Sequence, residues 1–216
     1  MKHLLLDFPE FDNQLNDELY HSARLRSLVL SCIFFTVAFG FWINIRLGNL
    51  PNRFYISIGI WNQYQWQLIL QSVCGTIELL FFFILKKKII QDNNKLQWFM
   101  HVLGFTEISV ISVAIWIHVL VEEPLVGLNA PPLMLYGIFI LSLALFLEAR
   151  HCISAGFIAA IQYAWIINSV HKMSGKTHID GSFYSKAIFL ALTGIAASIV
   201  ASQIRNQLVN TFQAQL

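Results

Sequence analysis

Charge is what this chain has least of: only 12% of its 216 residues are Asp, Glu, Lys or Arg, about half the share a soluble domain carries. That scarcity excludes an ordinary water-soluble fold, and a net charge of +2 excludes the strongly basic surface that nucleic acid binding requires. Cysteine is scarce too. Cys32, Cys74 and Cys152 each fall inside an apolar run with no pair at metal-ligand spacing, which argues against a disulfide framework or a zinc site and leaves buried small hydrophobes as the expectation. The chain lacks a Walker motif, a nucleophile elbow, an HExxH pair and a dinucleotide fingerprint, so no soluble catalytic module is indicated. A secretory leader is not indicated either, because the first apolar run begins only after residue 26 and follows Arg24 and Arg26.

Hydrophobic residues make up 56% of the chain, and they gather in six stretches near the roughly 20 residues a bilayer crossing needs. These run over residues 27–45, 66–85, 98–121, 131–147, 152–170 and 185–203. The expected fold is therefore all-α, a polytopic six-helix membrane bundle over residues 27–203. Residues 1–26 form an amphipathic N-terminal segment, and residues 204–216 begin a helix that extends into the cytoplasm. The fourth and fifth stretches are separated only by Glu148, Ala149, Arg150 and His151, a step that reads as the tight turn of a membrane hairpin. With both termini on one side, that side collects nine Lys and Arg residues against five on the other. The positive-inside bias then puts both termini in the cytoplasm and the chain in a plasma (inner) membrane.

Glu78 and Glu107 are the polar residues hardest to place. Counting 1.5 Å per residue from the inner ends of their spans puts them about 10 and 14 Å deep on adjacent helices, where a carboxylate costs about 2.5–3.5 kcal/mol unless it is paired, protonated or turned inward. Gly104, Glu107, Ile111, Ala114 and His118 follow helical spacing, and Gln71, Gly75 and Glu78 make a similar stripe. Glu78, Glu107, His118 and Gln71 are thus the ligand-binding or sensing candidates, with fixation of helix register as the equal structural alternative. Histidines lie near both interfaces, but the spacings of 17 residues (His101 to His118) and 20 (His151 to His171) leave each pair well off a common helix face, against two stacked haems. No cofactor is expected. A single haem between His101 and His151 is a minor reading.

In the last span, Ala187, Ala191, Gly194, Ser198 and Ser202 recur at helical spacing, which lets a neighbouring helix approach closely. Beyond it Ile204, Leu208, Phe212 and Leu216 continue one apolar stripe with no Gly or Pro to end it. The expectation is an exit helix that pairs with a second copy and continues into a longer protein.

The strings APPLMLYGIFILSLALFLEARHCISAGFIAAIQYAWI and SKAIFLALTGIAASIVASQIRNQL resemble the six-helix membrane region of bacterial class III adenylate cyclases. A Pro pair opening span four and a short charged step carry the likeness, together with a span bearing Gly156 and Tyr163. The last span adds Gly194, Ser198, Ala201 and Arg205, and Glu107 resembles the acid often found in span three. Ser198 stands where a second Gly is more usual. The resemblance implies a homodimeric membrane anchor and sensory input module that packs through Gly156, Gly194 and Ser198 and feeds a cyclase domain. The metal-binding Asp pair of such a domain is not among residues 1–216, so no enzymatic activity is expected of them. The rival expectation is a stand-alone carrier in which Glu78 and Glu107 handle protons or a cation.

Overall fold

The computed structural model describes residues 9–48, 57–58, 61–87, 93–121, 124–130, 132–146, 148–174 and 180–213. The helices are α1 (Pro9–Arg46), α2 (Gln63–Lys86), α3 (Asn93–Val121), the one-turn α4 (Pro124–Gly127), α5 (Pro132–Ser142), α6 (Ala149–Ser174) and α7 (Gly181–Gln213). Strand β1 (Ser57–Ile58) pairs antiparallel with β2 (Trp61–Asn62) in a minimal hairpin ahead of α2.

Among the described residues six helical stretches are long and apolar enough to cross a bilayer: Tyr20–Arg46, Gln63–Lys86, Gln97–Val121, Pro124–Leu145, Ala149–Ser174 and Gly181–Thr211. The protein is an all-α, multi-pass membrane bundle. Its outer surface agrees: Phe39, Met134, Ile161, Trp165 and Phe189 are each more than 60% exposed, a pattern that water would penalise and lipid accepts. Six crossings return α7 to the face from which α1 enters, called the terminal face below.

Two close helix pairs build the bundle. In the first, α1 lies along α2, where the Ser31 hydroxyl donates to the Gly75 carbonyl at 2.9 Å and a Cβ on Gly75 would meet the Phe35 ring at 3.1 Å. In the second, α6 lies along α7, with a Cβ on Gly156 only 2.7 Å from Gly194 Cα and a Cβ on Gly194 only 2.7 Å from the Cys152 carbonyl. Such backbone contact is available only without side chains between the helices. Ala197, Ser198 and Ala201 continue the buried side of α7. Between the two pairs, α3 is the most buried crossing. Its Gly104, Glu107, Ile111, Ala114 and His118 all lie inside.

The fourth crossing departs from the single span expected over 131–147. It begins with α4, where a Cβ on Gly127 would meet the Val119 backbone at 2.6 Å, and α5 then tightens after Ser142 into a 3₁₀ turn, Leu143–Phe146. A 3₁₀ turn is a frequent way for an α-helix to end, and this one closes the fourth crossing, which runs to Leu145. The expected four-residue charged step is also shorter, because α6 already starts at Ala149 and its first turn carries His151 into the core at 4% exposure. The first crossing begins at Tyr20 rather than at residue 27. Arg26, read from sequence as an interface cation, is inside the bundle.

Cys74 and Cys152 are buried as expected, whereas Cys32 faces outward. On α7, Ile204 is half-buried and Leu208 exposed. The Phe212 side chain and Leu216 lie outside the described residues.

Candidate functional site

The site is set by α1, α2 and α3 where they meet near the terminal face. Counted from the nearer end of each crossing, Arg26, Glu78 and Glu107 lie about 9, 12 and 15 Å deep. Arg26 shares the inward stripe of α1 with Leu30, Phe34 and Ala38, each spaced four residues from the last and each buried, which is one continuous face of a helix. Arg26 is 2% exposed, Glu78 1% and Glu107 6%: three ionisable groups share one dry compartment.

Arg26 grips Glu107 in a two-pronged fork. Its Nη1 donates to Glu107 Oε1 at 2.8 Å and its Nη2 to Oε2, the planar bidentate geometry that only guanidinium supplies. A third donor, Nε, reaches the Ser142 hydroxyl at 3.0 Å, and Ser142 in turn donates to the Phe139 carbonyl at 2.7 Å. The cation on α1 thereby spans from the acid on α3 to the last α-helical residue before the 3₁₀ turn. Low dielectric strengthens such contacts and makes any unpaired member costly.

Glu78, from α2, stands beside this fork and is as deeply buried as Arg26. Among the described residues nothing donates a hydrogen bond to its buried Oε2. The two carboxyls line a cavity of about 10 Å³ with Phe34, Cys74 and Leu103, near the smallest space that admits one water molecule. Sequence reasoning placed the acids together and the structure does bring them together. It missed Arg26 and Ser142.

The other candidates lie elsewhere. His118 sits near the opposite end of α3, where Gln63 Nε2 contacts its Nδ1 at 3.2 Å and Gln67 Nε2 its Nε2 at 3.4 Å. It is some 16 Å along the helix from Glu107 and belongs to a separate polar joint between α2 and α3. Gln71 is half-buried and does not line the acid cavity. At mid-depth Ser112 contacts Tyr136 at 2.6 Å and also Gln162, whose Nε2 donates to Ser109 at 2.9 Å. This network joins α3, α5 and α6.

His101 and His151 do come together, but as a face-to-face stack with ring centroids 3.8 Å apart and planes 13° apart. His151 Nε2 is also 3.3 Å from the Gln97 carbonyl. Stacked faces do not supply the approach from opposite sides that two axial ligands of one iron make, so the pair does not fit the haem reading. Beside the stack, Met100, Gly104, Leu143, Ala155 and Ile158 line an apolar cavity of about 270 Å³. No group of three or more metal-ligating side chains occurs among the described residues.

Where α7 leaves the bundle, Arg205 Nη1 reaches Glu148 Oε2 at 3.4 Å. The Ser22 hydroxyl on α1 donates to the Leu145 carbonyl in the 3₁₀ turn at 2.7 Å. The 3₁₀ turn touches α1, α6 and α7, so the fork, the 3₁₀ turn and α7 are in physical succession. Comparison of the chain with protein-family models, with curated proteins and with solved structures finds no match.

Proposed function

We propose that this chain is the membrane anchor and input module of a dimeric class III adenylate cyclase, held in the plasma membrane with both termini in the cytoplasm. The observation that carries the reading is α7. At 33 residues it is about 50 Å long against a hydrocarbon core of about 30 Å, and on this reading the excess of several turns lies at the terminal face. Those turns present Leu208 outward at the place where the family resemblance puts the link to a cyclase domain. Class III catalytic sites form between two such domains, so a module that sets how two exit helices meet sets the rate.

Fusion of residues 1–216 to a class III catalytic domain tests this. Paired charge substitutions, Leu208→Glu with Phe212→Glu, are expected to lower dimerisation and cyclic AMP output together by about tenfold, the effect of losing about 1.4 kcal/mol of pairing. Unchanged dimerisation and output would remove the proposal.

A stand-alone carrier working through Glu78 and Glu107 is the second reading, favoured by the unbonded Glu78 Oε2. It predicts a proton or cation flux into liposomes that Glu107→Gln abolishes. The Arg26 fork counts against it, because a cation that used Glu107 would have to break two charge-assisted hydrogen bonds in each cycle.

A further inference from the structure

A buried cluster has to account for its charge. Arg26 contributes one positive charge, and Glu107, held in the fork, one negative. Glu78 is the third member, 1% exposed, lining one small cavity with Glu107, and among the described residues nothing donates to its Oε2. Two ionised carboxylates have only acceptors to offer one another. Two carboxyls lining one dry cavity beside a single guanidinium therefore favour a proton on one, and the one not already gripped by guanidinium is Glu78. The ionisable groups that face it are Arg26 from α1 and Glu107 from α3. Cys74 lies one turn earlier on α2, and Cys152 of α6 lies beyond Arg26.

We propose that Glu78 is a proton-binding site: its carboxyl holds an exchangeable proton shared with Glu107, and release of that proton makes the two acids compete for Arg26. In the release step the Glu78 O–H bond breaks, its electron pair stays on the carboxylate oxygen, and the proton passes to a water in the adjoining cavity. The cluster goes from neutral to a net charge of one negative. Arg26 then faces two carboxylates in place of one, and the bond that it can give up at least electrostatic cost is the neutral one to Ser142. Ser142 is the last residue before the 3₁₀ turn, so proton occupancy bears on an element that touches α7. The proton site stands on its own geometry. Only its link to α7 rests on the input-module reading.

The test is infrared spectroscopy of the whole chain in lipid nanodiscs with ¹³C-labelled glutamate. A protonated-carboxyl C=O band that shifts with the label is expected at neutral pH, is lost as the pH is raised, and is absent from Glu78→Gln. Absence of a labelled band in the wild type at neutral pH overturns the proposal, as does a band of undiminished intensity in Glu78→Gln. The wild-type titration decides the matter even where the variant fails to fold. The cyclase fusion can fail while the band persists, and the band can be missing while the fusion responds, so the two proposals fall separately.

Discussion

Arg26 shows how a single side chain changes meaning with its surroundings. Beside Arg24 at the head of an apolar run, it has the sequence signature of an interface cation, and the positive-inside count absorbs it as one. The signal that sets it apart is periodicity: Arg26, Leu30, Phe34 and Ala38 fall on one stripe, which the structure buries. Glu78 and Glu107 were legible as inward-facing acids because depth alone makes an unpaired carboxylate untenable. Their partner was not, since nothing in local pattern pairs residue 26 with residue 107 across 81 positions. Removing either half of the fork leaves a buried charge. Arg26→Gln and Glu107→Gln are each expected to cost about 3–5 kcal/mol in reversible unfolding from bicelles. The apolar double variant Arg26→Met with Glu107→Leu should recover most of that loss, and strictly additive losses would show that the two residues do not interact.

At the level of elements, the small-residue period in α7 pointed to a close neighbour without saying which. The structure supplies α6, through Gly156 and Gly194. A Cβ at Gly156 would sit 2.7 Å from the facing backbone, whereas one at Gly137 meets nothing within 4 Å. Gly156→Val is therefore expected to destabilise by about 1–3 kcal/mol through overpacking, and Gly137→Ala to be neutral or to stabilise by up to about 1 kcal/mol, both read by thermal unfolding. The start of α7 carries its own signature. Asp180 accepts from the Ser182 backbone N–H at 3.0 Å, and that bond, with Lys186 nearby, holds its carboxyl below the ordinary range. A depressed folded-state value means that the cap is in force above the ordinary carboxylate pKa and is lost as pH falls through the lowered one. Protection of the Ser182 and Phe183 amides from hydrogen exchange, relative to their intrinsic rates, should accordingly fall in acid in the wild type and respond less to pH in Asp180→Asn. An identical acid response in that variant would assign the fraying to another group.

For the molecule as a whole, the six crossings were readable because twenty apolar residues in a row have few other uses. The break in the fourth was not, because Leu143–Phe146 is as apolar as the α-helical turns before it, and only packing against α1, α6 and α7 distinguishes it. The resulting picture is a lipid-embedded bundle with a charged joint near its terminal face, where α1 enters and the 33-residue α7 ends. Whether that helix transmits geometry or merely tethers is decided by its phase. Insertions after Asn210 in the cyclase fusion measure this directly. One added residue turns whatever follows by about 100°, and seven restore the phase to within about 20°. The account predicts that cyclic AMP output falls with one inserted residue and returns with seven. Equal output at every length would mean a passive anchor and would contradict it.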